Sequence, residues 1–211
     1  MRCIIFANGE IDNYQRAKTM IKPDDYIICA DGGLRHVVEM GLIPNVLVGD
    51  LDSVEEKHVA LLIEKNVEIL KFPKEKDDTD TEIAIAYGIK QNPSSMLLMG
   101  VTGGRLDHTL ANIGLLKELY DKGIKACIHS DYNEIYITKD ELTLKGQKGD
   151  LLSVLPISEH VKGVTLKGLQ YPLTDRDLHF GAPIGISNVF LGETATVTVK
   201  EGYLLVMKAR D

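Results

Sequence analysis

Aspartates stand at unusual places in this 211-residue sequence. Asp31 directly precedes Gly32 and Gly33. Asp50 and Asp52 flank Leu51 in G-D-L-D-S at 49–53, and Asp77, Asp78 and Asp80 lie in K-E-K-D-D-T-D-T-E at 74–82. On an extended chain, residues two apart point to the same side, so Asp50 and Asp52 can face one ligand. Carboxylates a few ångströms apart cost one another several kcal/mol when partly desolvated, unless a cation stands among them. A hard ion such as Mg²⁺ takes one or two protein carboxylates and fills its octahedron with water and phosphate oxygens. Asp52 and Ser53 also suit the start of a helix. That plainer role leaves Asp31, Asp77, Asp78 and Asp80 unexplained.

Glycine supplies the second chemical feature. Gly32-Gly33 and Gly103-Gly104 each stand between a predicted strand and a predicted helix, where a chain lacking Cβ can approach a phosphate and a helix amino terminus offers free N–H groups. Arg105 follows the second pair, in T-G-G-R at 102–105, and its guanidinium can clamp phosphate oxygens in bidentate fashion. Neither G-x-x-x-x-G-K-[ST], G-x-G-x-x-G nor H-R-D is present, which excludes a Walker-type ATPase, an ordinary dinucleotide fold and a protein kinase. His108 near the start of a long helix suits packing better than catalysis. His36 and His58 are expected at the surface or half-buried, and Asp175-Arg176-Asp177 reads as a charged solvent loop.

These residues need elements to position them. R-C-I-I-F-A, D-Y-I-I-C-A, N-V-L-V-G, V-E-I-L-K-F and S-M-L-L-M-G read as short aliphatic strands. Between them run amphipathic stretches. Ser53 with Glu56, and Thr79 with Glu82, carry the capping-box spacing, and Gly123 stops the longest helix, which starts at Leu106. Strict alternation implies right-handed crossovers and a parallel sheet with helices on its faces. Ligands of such sheets bind beyond the carboxyl ends of the strands, and there the aspartates and glycine pairs converge. After about Ser130 the helical periodicity stops, and short segments with period-2 alternation and glycine turns predict an all-β module, sandwich or barrel. The fold class is therefore α/β: an N-terminal parallel-sheet, Rossmann-like domain over 1–130 that carries the acidic, glycine-rich rim, then a C-terminal all-β domain, sandwich or barrel, over 131–211.

Composition excludes several classes. Hydrophobic residues make up 44% and charged residues 26%, as in ordinary globular chains. Twenty-four Lys plus Arg against 31 Asp plus Glu leave a net charge of −7, which argues against general nucleic-acid binding because such proteins carry a basic stripe. Cys3, Cys29 and Cys127 sit in apolar runs without C-x-x-C spacing, which fits buried thiols in a reducing compartment. No apolar run reaches membrane-spanning or signal-peptide length, so a cytoplasmic protein without membrane partners is expected.

Together, D-G-G at 31–33, G-D-L-D-S at 49–53, D-D-T-D-T-E at 77–82 and T-G-G-R-L-D-H-T-L-A-N at 102–112 resemble the thiamine pyrophosphokinase family in order and spacing, and I-S-N at 186–188 resembles its substrate-binding turn. The resemblance implies transfer of the pyrophosphoryl group of ATP to the hydroxyl of thiamine, giving thiamine diphosphate and AMP. It also implies a homodimer whose subunits share each active site. It makes Asp50, Asp52 and Asp80 the Mg²⁺ ligands and, with Arg105, the catalytic set. Asp31, Gly32, Gly33, Thr102, Gly104, Asp107, Ser187 and Asn188 become substrate-binding residues. Relatives often place a Trp against the thiamine ring. This chain has none, so Phe180, Phe190 or Tyr171 is expected to serve. Asp80 and Asp107 are the candidates to accept the hydroxyl proton. Two other readings of the rim are a Mg²⁺-dependent nucleotide or diphosphate hydrolase and a non-catalytic nucleotide sensor.

Overall fold

The computed structural model describes residues 1–210, which divide into two compact units, 1–131 and from 132 onward. The first alternates strands and helices: β1 (Arg2–Phe6), α1 (Tyr14–Thr19), β2 (Tyr26–Ala30), α2 (Leu34–Glu39), β3 (Val46–Gly49), α3 (Glu56–Glu64), β4 (Glu68–Lys71), α4 (Asp80–Lys90), β5 (Ser95–Met99), α5 (Leu106–Asp121) and β6 (Lys125–His129). Its six strands pair in parallel in the order β6-β5-β1-β2-β3-β4. The chain winds outward from β1 to β4, then crosses back to β5 on the other side of β1. The crevice beyond the strand ends opens at that reversal.

Both faces of this sheet are covered, so its strands are continuous apolar runs rather than alternating ones. Ile4, Phe6, Cys29, Leu47 and Met99 pack on one face with Ala17 of α1, Leu34 and Val37 of α2 and Leu62 of α3. On the other, α4 lies so close that a Cβ at Gly88 would meet Ile28 and Met96 side chains at 3.1 Å. Cys3 and Cys29 are buried thiols. Burial raises the Cys29 thiol far above its ordinary value, which keeps it protonated.

Two caps that share a sequence spelling behave differently. Thr79 and Glu82 form the full capping box, with Thr79 Oγ1 accepting from Glu82 N and Glu82 Oε2 accepting from Thr79 N. At Ser53 the expected box does not form. Its hydroxyl donates to Asp52 Oδ1, and α3 starts at Glu56 behind a Glu55 cap without a side-chain bond. Gly123, at φ +73°, ends α5 as its position predicts.

The second unit holds two antiparallel sheets. β7 (Asn133–Thr138), β9 (Leu151–Pro156), β12 (Asn188–Val189) and β14 (Leu204–Ala209) form one, in the order β12-β9-β14-β7. β8 (Glu141–Lys145), β10 (His160–Lys167), β11 (Leu173–His179) and β13 (Thr194–Thr198) form the other, in the order β11-β10-β13-β8. Leu152, Val154, Leu204 and Val206 from the first sheet meet Val161, Val164, Leu166 and Val197 from the second in one core. This is a sandwich. Asp175-Arg176-Asp177 is not the solvent loop its charges suggest. These residues are the exposed middle of edge strand β11, held by pairing to β10, with Asp175 at φ +50° where the register shifts.

Candidate functional site

The acidic cluster is built by backbone conformations that few residues adopt. Asp31 follows β2 at φ +45°, and a single 3-10 turn, Asp31–Gly33, leads straight into α2. Gly33 must be glycine because a Cβ there would lie 2.2 Å from the Phe6 carbonyl oxygen. Gly49 ends β3 at φ +146°, and a Cβ on it would come within 2.9 Å of Asp31 Cβ. Leu51, a branched residue, is held at φ +69°. Such left-handed conformations cost about 1–3 kcal/mol each and persist where the surroundings over-determine them, often at functional sites. Because of Leu51 the chain is not extended here. Asp50 and Asp52 converge through a turn in which Asp50 Oδ1 accepts from Asp52 N at 3.0 Å, rather than through strand alternation.

Carboxylate oxygens of Asp31, Asp50 and Asp52 lie within 4.8 Å of one another. Asp31 is only 7% exposed, and its Oδ1 is buried without a hydrogen-bond partner. A buried acceptor left unmade costs its full desolvation penalty, so an orphan oxygen beside two other carboxylates fits a cation-binding site. The all-oxygen, anionic donor set suits a hard ion such as Mg²⁺.

The loop after β4 brings lysines to the cluster. Lys74 Nζ lies 2.5 Å from Asp52 Oδ2 and holds that carboxyl below its ordinary range. Lys76 Nζ donates to the Pro73 carbonyl and forms an ion pair with Asp80 Oδ1 at 3.1 Å. Burial raises Asp80, Lys76 opposes the rise, and the charges of Asp31 and Asp50 add to it. Asp80 is thus close enough to feel the cluster, although the cluster of mutually close oxygens consists of Asp31, Asp50 and Asp52. Asp77 and Asp78 are exposed.

A cavity of about 770 Å³ opens at this rim, lined by Asp31, Asp50, Asp80 and Lys76 on one side and by Thr102 and the Gly103–Arg105 turn on the other. Gly32 and Gly33 do not line it; they are buried against Asn8 and Phe6. Both amides of the second glycine pair have partners: Gly103 N donates to Thr109 Oγ1 at 3.2 Å, and Gly104 N to Glu10 Oε1 at 2.9 Å. Arg105 is turned to solvent in a bidentate pair with Asp107, at 2.9 and 2.6 Å, which holds Asp107 far below the usual carboxylate range. His108 is exposed and lines the cavity.

Sequence reasoning missed several cavity residues. Asn8, Glu10 and Arg35 line it, as do Lys74 and Lys76, which look like an ordinary charged turn. Their only signal was their place after β1, β2 and β4. His36, expected near the surface, is 1% exposed beneath the loop after β1. Its Nδ1 pairs with the Tyr14 hydroxyl at 2.8 Å and its Nε2 with the Gly9 carbonyl at 3.0 Å. Burial drives this imidazole down to about 4.

In the second unit, Ser187 is exposed at φ +55° with its N–H on Ser153 Oγ at 3.0 Å. Asn188 is buried, and its amide is spent on backbone: Oδ1 accepts from Tyr171 N and Val189 N, and Nδ2 donates to Tyr171 O. Phe190 is wholly buried in the sandwich core and cannot offer a ring to a ligand, whereas Tyr171 and Phe180 are 62% and 69% exposed.

Comparison with known proteins places both units. The family described as thiamin pyrophosphokinase, catalytic domain, matches residues 17–128, and the thiamin pyrophosphokinase vitamin B1 binding domain matches residues 133–204. A thiamine pyrophosphokinase of Bacillus subtilis is 29% identical over 186 residues, covering 87% of each chain. Among solved structures, the thiamine pyrophosphokinase from B. subtilis superposes with a TM-score of 0.91 at 25% identity, covering 100% of both chains. That from Geobacillus thermodenitrificans gives 0.88 at 28% identity, covering 100% of this chain and 98% of its own.

Proposed function

This chain belongs to the thiamine pyrophosphokinase family and transfers the pyrophosphoryl group of ATP to thiamine, and on that premise we propose that the rim of the parallel sheet is where the transfer takes place. The observation that carries the assignment is the Asp31, Asp50 and Asp52 cluster, with its orphan Asp31 oxygen, opening into a cavity edged by a glycine turn. Asp31, Asp50 and Asp52, with Asp80 beside them, would hold Mg²⁺, which supplies neutralisation of the triphosphate when bound. The strand order and the reversal beside β1 support a Rossmann-like reading of the first unit.

The hydroxyethyl oxygen of thiamine attacks the β-phosphorus and gives its proton to a rim carboxylate, Asp80 rather than the Arg105-paired Asp107 in this reading; the bond from that phosphorus to the α–β bridging oxygen breaks, and AMP leaves. Such transfer needs little covalent help, so the protein works mainly by alignment and by neutralising charge. Lys76 is the least exposed cation of the cavity and faces the triphosphate from the acidic side, opposing the rise that burial gives Asp80. Thr102, Gly104 and Arg105 line the opposite wall and are read as phosphate contacts. Arg105 must release Asp107 to reach a ligand, an exposed pair that costs little to open. We assign the thiamine side to Asp107 and to the Ser187–Asn188 turn. There Asn188 shapes the turn through the Tyr171 backbone, leaving Ser187 and the exposed rings of Tyr171 and Phe180 for contact.

We further propose a homodimer, supported by Tyr171, Phe180, Ile184, Ile186 and Leu191, large apolar side chains exposed on one unit. A cytoplasmic location is proposed from the buried free thiols of Cys3 and Cys29. No helix among the described residues is long and apolar enough to cross a membrane.

Supplied with ATP, Mg²⁺ and thiamine, the purified protein forms AMP and thiamine diphosphate in equal amounts. AMP released without thiamine would make it a hydrolase, and ATP bound but unchanged would make it a sensor.

A further inference from the structure

We propose that Glu10 is an internal competitor for the nucleotide: its carboxylate accepts the Gly104 N–H and must leave before a phosphate can use that donor. The inference rests on reading Gly104 as a phosphate contact.

The geometry is specific. Glu10 Oε1 accepts from Gly104 N at 2.9 Å, and a Cβ built on Gly103 would meet the same side chain at 3.1–3.2 Å, so the carboxylate lies along the glycine turn. The turn leads into α5, a helix of 16 residues whose amino terminus favours an anion. Arg105 caps that terminus with no side-chain bond; Asp107 is the acidic residue of the helix's own first turn, and Glu10 brings a second carboxylate to the glycine turn from a distant loop. Nor is the loop placed by chance. Gly9 N donates to Gly100 O and Glu10 N to Thr102 O, continuing the β1–β5 pairing beyond the strands and fixing the backbone of residue 10 beside the turn.

Glu10 therefore imitates the ligand it excludes. Its side chain is exposed and lines the cavity, free to swing into solvent once a stronger anion arrives. Two anions cannot share one N–H, and a carboxylate left beside a triphosphate would repel it. The competition concerns the phosphates alone. Removing Glu10 should tighten binding of ATP and leave adenosine unaffected, because adenosine brings no anion to the amide.

The test is calorimetric titration of the intact protein with ATP and with adenosine, in Mg²⁺ without thiamine, for the wild type, Glu10→Ala and Glu10→Gln. The expected result is ATP binding tighter by roughly tenfold in Glu10→Ala, from loss of one charge-assisted hydrogen bond at an exposed site. Glu10→Gln, which keeps an acceptor but no charge, should fall between, and adenosine should bind all three alike. Unchanged or weaker ATP binding in Glu10→Ala overturns the proposal, as does an equal gain for adenosine. The Gly104 amide resonance tells the two failures apart. If it shifts on ATP addition while affinity is unchanged, only the competition is wrong. If it does not shift in either protein, the phosphate reading of Gly104 falls and takes the proposal with it.

Discussion

The rim of the parallel sheet and the Asn188 turn of the sandwich treat buried polar atoms in opposite ways. At the turn, one buried asparagine makes three hydrogen bonds to the backbone of Tyr171 and Val189, so that neither its Oδ1 nor its Nδ2 lacks a partner. At the rim, Asp31 Oδ1 is buried with no hydrogen-bond partner among the described residues, and Asp80 Oδ1 has only its ion pair with Lys76. A satisfied network specifies a shape, whereas an unsatisfied one stores a cost that only a ligand can remove. On the proposed reading the rim binds and the Asn188 side chain holds.

Substitutions should separate the two roles. The largest effect belongs to the rim: Asp50→Ala or Asp52→Ala should lower turnover roughly 10²-fold or more, by loss of one preorganised charge-stabilising group, with unfolding in urea unchanged. Activity near wild type in either variant would break the comparison at its catalytic end.

Acid provides the next test, through His36 beneath the rim. Its folded pKa is about 4 against an ordinary 6.5, so the folded protein binds fewer protons than the unfolded one between those values. That contribution is complete above pH 6.5 and is lost as pH falls toward 4, about 2 kcal/mol between pH 7 and pH 5. Urea titrations should show His36→Gln with a correspondingly flatter acid limb; an identical slope would deny the buried neutral imidazole.

Smaller effects sharpen the contrast. Asn188→Ala strands the Tyr171 N–H and C=O and should cost about 1–2 kcal/mol of stability. It should also weaken thiamine more than ATP in steady-state kinetics, as should Ser187→Ala without the stability loss. Equal losses for both substrates would move the acceptor pocket elsewhere. Asp31→Asn, by contrast, should stabilise the metal-free protein by about 1 kcal/mol, since it removes a charge from a crowded, desolvated site. A loss of stability there would mean that the carboxylate is structural.

Much of this was legible in the sequence, and the illegible parts have physical reasons. The aspartates and glycine turns could be placed because strand ends are marked by local composition and the sheet gathers those ends. Thr79 and Glu82 could be read because a capping box is closed within four residues. The same spelling failed at Ser53, where left-handed Leu51 and the Asp52 carboxylate redirect the hydroxyl. α1 and β6, of six and five residues, are too short to show a period. β11 is an exposed edge strand whose pairing with β10, not its own pattern, makes it a strand. Glu10 and Lys76 gain meaning only from partners 94 and four residues away.

The central claim is that Asp31, Asp50 and Asp52 together hold a divalent ion that grips the triphosphate. Titration with Mn²⁺ in the presence of ATP, followed by its paramagnetic resonance, tests it most directly. One Mn²⁺ per chain should bind, be displaced by Mg²⁺, and be weakened at least tenfold beyond its affinity for ATP alone in Asp31→Asn and Asp52→Ala. Equal binding by the wild type and both variants would contradict the account.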